Sequence, residues 1–152
     1  GAKLYLANFT SAKITSCKFD YADCTRANFL EAKVINTTMK STTLKYASFN
    51  ITHFENCIIL DSDLEGINLN NIHIHLTSFE SCNLQKSILH QGFLKESSFK
   101  DADFRSYDVN FTTVYPIENM NWTSCKIWDT SLINSEGRIP GFENAIVEVA
   151  PG

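Results

Sequence analysis

From Leu4 to Val114 every fifth residue is apolar, through 23 consecutive positions that begin Leu4, Phe9, Ile14, Phe19, Cys24, Phe29, Val34 and end Leu94, Phe99, Phe104, Val109, Val114. At 43% apolar composition, such a run in any of five frames has a chance probability on the order of 10^-8. Helical burial recurs at three and four residues and a half-buried strand alternates at two, so a period of five suits neither.

Two places before each centre the side chain is usually narrow: Ala at 2, 7, 12, 22, 27, 32, 47 and 102, and Thr, Ser, Cys or Gly at most of the others. The remaining three of each five are mostly Lys, Asn, Asp, Glu, Ser and Thr, as expected of side chains that meet water. A backbone satisfies this if a short strand turns two residues inward around one outward, and two further outward residues then redirect the chain. Repetition closes a polygon, and stacked polygons hydrogen-bond at about 4.8 Å into a solenoid.

The triplets Ala7–Phe9 and Ala27–Phe29 ("ANF"), Ala102–Phe104 ("ADF") and Ser62–Leu64 ("SDL") resemble the pentapeptide-repeat family, whose pattern is A-(D/N)-L-x-x. The resemblance covers Ala2 to Val114 and implies an all-β fold: a right-handed, parallel, quadrilateral β-helix of about twenty residues per coil. Under that coil Gly92 lies over Ile72, and Ala47 and Ser87 flank Ile67, so the wide residues Ile67, Ile72 and Tyr107 in the narrow column are expected to be packing repairs.

After Val114 the frame slips by three across 115–121 and resumes at Ile117, Trp122, Ile127 and Leu132, with Met120, Cys125 and Thr130 in the narrow column. Pro116 cannot donate to a ladder, which places a bulge or corner loop there. The expected organisation is a β-helix over 1–135 and a short non-repeat cap or connector over 136–152. The start, already in register at Ala2 without Met, suggests a segment of a longer protein.

No run of eighteen apolar residues occurs, and no membrane span is expected. The five cysteines are expected as core filler: Cys17, Cys57, Cys82 and Cys125 in the narrow column and Cys24 in the wide one, with none of Cys17, Cys24, Cys57 and Cys82 paired across coils. Free thiols favour a reducing, cytosolic environment, which includes a host cytosol reached by bacterial secretion. The N-x-T sequons at Asn8, Asn36, Asn50, Asn110 and Asn121 follow from an Asn- and Thr-rich repeat.

Charge is uneven along the chain. Residues 1–60 hold seven Lys and Arg against four Asp and Glu (+3), residues 61–114 four against eight (−4), and the remainder two against five (−3), recovering the total of −4. One outward column holds Asp23, Asp63 and Asp103, interrupted by Thr43 and Asn83. Another pair of columns gathers His53, Glu55, His73 and His75 into an outward square whose residue types suit zinc or nickel. Outward apolar residues Ile35, Ile58, Leu60, Ile88 and Phe93 are candidates for protein contact.

No GxSxG, HExxH, P-loop or GxGxxG occurs, and a regular prism offers no concavity, so neither catalysis nor a cofactor is expected. The expected function is a rigid scaffold or protein-interaction module, with end-to-end homodimerisation open to it and no direct nucleic-acid binding. The alternative that the family resemblance raises is a DNA-mimic inhibitor of type II topoisomerase, which needs carboxylates at close intervals to imitate about one charge per 1.7 Å. The Phe-, Cys-, Asn- and Thr-rich style is also similar to the β-helix region of HECT-like ubiquitin-ligase effectors of bacteria, where it would position a substrate.

Overall fold

In the computed structural model, which describes residues 1–132 and 139–152, residues up to Leu89 lie beside those twenty later, and residues from Leu94 to Asp103 beside those twenty-three later. The chain turns through four faces per coil. The first face stacks Lys3, Asp23, Thr43, Asp63, Asn83 and Asp103 in parallel, and the second stacks Asn8, Asn28, Ser48, Asn68 and Ile88. The third is the most regular. There β1 (Lys13–Thr15), β2 (Lys33–Ile35), β4 (His53–Glu55), β6 (Ile72–His75), β7 (Gly92–Lys95) and β8 (Val114–Glu118) form a six-stranded parallel sheet in that order. On the fourth face β3 (Thr38–Lys40) pairs with β5 (Ile58–Leu60). Among the described residues no α-helix occurs.

The five-residue period maps onto the interior. Of the 23 centres, 21 are buried; Leu4 and Phe9, in the first coil, are partly covered. Equivalent aromatics stack: Phe9, Phe29 and Phe49 at 4.8 and 4.5 Å, and Phe79, Phe99 and Trp122 at 5.3 and 5.2 Å, with Phe142 tilted against Trp122 at 4.4 Å. Ile67 and Ile72 are buried as expected. A Cβ on Gly92 would lie 3.1 Å from Ile72 Cγ2 and 3.0 Å from its carbonyl oxygen, so glycine makes the room that Ile72 takes.

Two kinds of corner explain the composition of the narrow column. In one, the residue two after the centre is left-handed, as at Leu6 (φ 60°), Arg26 (φ 58°) and Tyr46 (φ 57°). The N–H of the next residue then donates back to the centre's carbonyl, Ala7 to Leu4 and Ala27 to Cys24, each at 3.0 Å. That is a type II turn, and alanine suffices because the turn satisfies its own N–H. After the third face the corner keeps the positive φ but lacks the turn bond, and a side chain one coil on supplies the acceptor. Cys57 N–H donates to Thr77 Oγ1 (3.2 Å) and Thr77 N–H to Ser97 Oγ (3.1 Å). Each hydroxyl donates in turn to the carbonyl two residues before it, His75 (2.9 Å) and Lys95 (2.8 Å). Hydroxyl and thiol residues stand there because a buried N–H without a partner is costly.

The Asp/Asn position beside each centre is equally local. Asp23, Asn28, Asp63, Asn83 and Asp103 accept through Oδ1 from the N–H two residues on, at 2.9–3.3 Å. The sequon residues Asn8, Asn110 and Asn121 do the same, each at 3.0 Å.

The slip is absorbed earlier than the sequence suggests. Val109 still pairs with Leu89, whereas Ile117 pairs with Leu94, so three residues are inserted between them. They form a 3-10 turn at Phe111–Thr113, capped by Asn110, and a bulge opposite Phe93 that includes Pro116. Val114 pairs with Gly92 in the narrow column and is not a centre, while Phe111 enters the core between Phe104 and Trp122. Tyr107 is not a packing repair. Ser106 fills the slot, its hydroxyl donating to the Ser87 carbonyl at 2.6 Å, and Tyr107 swings out to 60% exposure.

The boundary expected at 135/136 lies outside the described residues. Beyond them the cap is built as further sides of the tube. Phe142 packs tilted against Trp122, and β10 (Ile146–Glu148) pairs in parallel with β9 (Lys126–Trp128) at a spacing of twenty.

All five cysteines are free thiols. Burial pushes Cys24 up to about 11 and Cys82 and Cys125 to about 12, with Cys57 raised as well, which makes them poor thiolates. Cys17 departs from the core expectation and is exposed. In native buffer a maleimide is expected to modify Cys17 alone, with the other four reacting after denaturant. Mass spectra showing rapid multiple labelling would contradict the packing.

Candidate interaction face

The third face carries two outward columns. The first runs Lys13, Lys33, His53, His73, Phe93, and the second Thr15, Ile35, Glu55, His75, Lys95, with Glu118 after it. Alternation in each strand turns Ile14, Val34, Phe54, Ile74 and Leu94 inward, so both flanking residues point out.

The square of His53, Glu55, His73 and His75 exists in register but does not converge. The rings of His53 and His73 stack at 3.8 Å, and those of His73 and Phe93 at 4.1 Å and 8°. Stacked imidazoles present their faces to each other, so their in-plane lone pairs run side by side. His75 is drawn the other way, its Nδ1 lying 3.6 Å from Glu55 Oε1 and its Nε2 3.5 Å from Glu96 Oε2. Among the described residues no group of three or more His, Cys, Asp or Glu is disposed to hold a metal ion.

Partial burial holds both stacked histidines below the ordinary imidazole range. Lys33 adds to the effect on His53, and His53 and His75 add to that on His73, while Glu55 opposes it. A histidine whose folded pKa is depressed contributes stability that is complete above the unfolded value, about 6.5, and is lost as pH falls through the folded one. The urea midpoint is therefore expected to drop between pH 7.5 and 5.5, and to drop less in a His53→Phe, His73→Phe variant. Equal drops in both proteins would refute the assignment.

The five apolar candidates do not form one patch. Ile35 and Phe93 lie on the third face, Ile58 and Leu60 on the fourth, and Ile88 on the second. Ile88 occupies a capping column without a capping atom, and Asn70 Oδ1 accepts from His90 N–H (2.9 Å) in its place. Ile58, 44% exposed, borders a shallow depression of about 500 Å³ at the corner between the third and fourth faces, with Leu76, Ser78, Glu96 and Asn119.

The Asp23, Asp63 and Asp103 column is occupied by the fold. Its carboxylates cap turns, Thr25's hydroxyl and N–H hold Asp23 below its ordinary value, Lys45 lies 3.5 Å from Asp63, and Arg105 pairs with Asp103 at 2.7 Å. A feature the sequence reading missed is the aromatic pair Tyr107 and Trp128, at 4.4 Å, above a hollow of about 200 Å³ with Lys86 and Arg105. The signal was Ser106, a narrow residue able to take the slot that Tyr107 overfills.

Residues 7–45 match the family model for pentapeptide repeats, in eight copies. No curated protein matches the chain in sequence. Among solved structures it is similar to a trypsin-treated form of QnrB1, a plasmid-mediated fluoroquinolone resistance protein (14% identity, 97% of this chain and 89% of that one, TM-score 0.40). It is also similar to HetL, a pentapeptide repeat protein involved in heterocyst differentiation regulation from the cyanobacterium Nostoc sp. (14%, 99% and 72%, TM-score 0.37). A third is Rfr23, a pentapeptide repeat protein from the cyanobacterium Cyanothece (15%, 74% and 82%, TM-score 0.33). The matched family is that of the repeat alone, and the likeness to HECT-like effectors rests on compositional style. Residues 7–45 therefore carry the pentapeptide repeat, and the same twenty-residue step continues beyond them to Val109.

Proposed function

We propose that this chain is a non-catalytic, rigid β-helical scaffold that binds a protein partner through its third face and works in a reducing compartment. The observation that carries the reading is the division of labour among the faces. The interior is filled, and on the first and second faces Asp23, Asn28, Asp63, Asn68, Asn83 and Asp103 spend their side chains on capping turns. The third presents two unbroken outward columns, of which Lys13, Lys33, His53, His73, Ile35 and Phe93 cap no turn. Five unpaired thiols, four of them buried, support the compartment.

A photo-crosslinking amino acid placed in turn at Ile35 on the third face, Gln85 on the first and Ser78 on the fourth tests the reading in cells that express the gene. A discrete adduct from Ile35 alone, competed by unlabelled protein, is expected. Adducts from all three positions, or from none, would sink it. In parallel, a supercoiling titration with a type II topoisomerase is expected to show no effect. Inhibition there would replace the scaffold with nucleic-acid mimicry.

A further inference from the structure

On the fourth face Asp20, Lys40, Leu60, Glu80 and Lys100 stand one above another, held by the bonds from Tyr21, Ser41, Asp61 and Ser81 N–H to the carbonyls of Lys40, Leu60, Glu80 and Lys100. Beside them run Lys18, Thr38, Ile58, Ser78 and Ser98. The centres between the two columns, Phe19, Met39, Ile59, Phe79 and Phe99, are buried, so both columns face out. The first column is antisymmetric in charge about Leu60. Turned end for end against itself, it sets Asp20 opposite Lys100 and Lys40 opposite Glu80, while Leu60 meets Leu60 and Ile58 meets Ile58. A slip of one coil destroys the match. In one direction Asp20 falls opposite Glu80 and Leu60 opposite Lys40; in the other Lys40 falls opposite Lys100 and Leu60 opposite Glu80. Like charges directly opposed are destabilising, so a single register is selected.

We infer that the fourth face is a contact between two copies of this chain, packed side by side and antiparallel about a two-fold axis through Ile58 and Leu60. A two-fold contact must be self-complementary, and an opposed copy has the same pitch of about 4.8 Å, so each rung meets its counterpart along the whole face. Ile58, 44% exposed, and Leu60 supply an apolar middle, and the opposite charges supply a polar rim. Beside Ile58, Leu76 occupies a left-handed corner (φ 50°), a conformation unusual for a bulky side chain, and is itself 46% exposed. Across the axis Asn36, whose Oδ1 accepts from Asn56 Nδ2 at 2.7 Å, comes over Leu76 at the edge of the depression there. Asp61 meets its like at the outer corner, where water and salt screen it. The first face also bears both signs but closes them internally, Lys45 on Asp63 and Arg105 on Asp103, and has no apolar residue among Thr43, Lys45, Asp63 and Glu65 at its middle. On the fourth face Asp20 accepts from Thr38 Oγ1 and Lys40 N–H, Glu80 from Ser98 Oγ, and neither closes an ion pair among the described residues. Five coils of one face bury roughly 1,000 Å² in total, the lower limit of specific interfaces, so the dimer is weak and forms where copies are concentrated.

Sedimentation equilibrium of the whole chain is the test. A dimer is expected, with Kd between about 10 μM and about 1 mM, weaker at high salt. Lys40→Glu and Glu80→Lys each bring like charges together across the axis, and each is expected to raise Kd at least about tenfold. An equimolar mixture of the two variants restores opposite signs at both pairs and is expected to dimerise again, a recovery that misfolding of either variant cannot produce. Ile58→Lys is expected to leave a monomer. A parallel pairing would leave Lys40 opposite Thr38 and Glu80 opposite Ser78, and the mixture would not recover. A monomer at every concentration, a mixture no tighter than its components, or a dimer indifferent to the reversals, which would place the contact elsewhere, the tube ends included, would each overturn the proposal. A dimer this weak is dissociated at the concentrations of expression in cells, so the Ser78 probe on this face stays silent there and the third-face reading stands or falls separately.

Discussion

Replacing Phe99 by alanine is expected to cost about 3–5 kcal/mol of unfolding free energy, the range for deleting a fully buried aromatic. Phe99 is 0% exposed and packs between Phe79 (5.3 Å) and Trp122 (5.2 Å), with Phe104 at 5.1 Å. Its loss empties one rung of an aromatic stack shared by three coils. In a solenoid each coil is held mainly by its neighbours, so uncoupling them lowers the denaturant slope as well as the midpoint. Phe9→Ala, in the partly covered first coil, is expected to cost less than half as much. Urea titration followed by circular dichroism measures both, and a loss below about 1 kcal/mol at Phe99 would contradict the packing described.

The second large effect is expected from a change of one heavy atom. Thr77→Val keeps the shape of a buried side chain but removes the acceptor for Cys57 N–H and the donor to the His75 carbonyl. A buried N–H left unpaired costs about 1–3 kcal/mol. Thr52→Val is the control. Thr52 also donates to a carbonyl, that of Phe29 at 2.7 Å, but its own N–H is bonded within a type II turn, and the Phe29 carbonyl still accepts from Ala32 N–H. The Thr77 change is expected to lower the urea midpoint at least twice as far. Equal shifts would show that the hydroxyl column after the third face does no more than fill space.

This contrast also shows how much the sequence discloses. The five-residue period alone specifies which side chains line the tube, because a strand of alternating faces leaves no other way to bury two of every five. It does not reveal which corner is which. Alanine at 7 and 27 and threonine at 37 and 77 look like interchangeable narrow residues until the backbone shows that one corner satisfies its own N–H and the other borrows an acceptor from the next coil.

The departures cluster where the repeat is interrupted. Between Val109 and Ile117 the sequence offers several ways to accommodate three extra residues, and the chain takes the one that buries Phe111 against Phe104, Trp122 and Phe142. Frame counting could not weigh that packing gain. Tyr107 is similar: a tyrosine in the narrow column overfills it, and Ser106 one residue earlier relieves the strain by taking the slot.

The candidate face was partly legible. Register predicts that His53 stands beside His73 and Glu55 beside His75, and both hold. What register cannot supply is ring orientation. Stacking of His53, His73 and Phe93 and the turn of His75 toward Glu55 and Glu96 convert a square of ligand types into an aromatic column and a row of contacts between His75 and two carboxylates. The apolar candidates scatter over three faces because a one-dimensional pattern of outward residues does not say which corner lies between them.

Spin labels at Lys3→Cys and Lys126→Cys, on a Cys17→Ser background, test the four-sided stack most directly, since both lie on the first face in one column linked through Asp23, Thr43, Asp63, Asn83 and Asp103. Six coil steps predict one narrow distance distribution centred near 29 Å, at about 4.8 Å per step. A broad distribution, or a centre displaced by two coils or more, would contradict a rigid tube of twenty-residue turns.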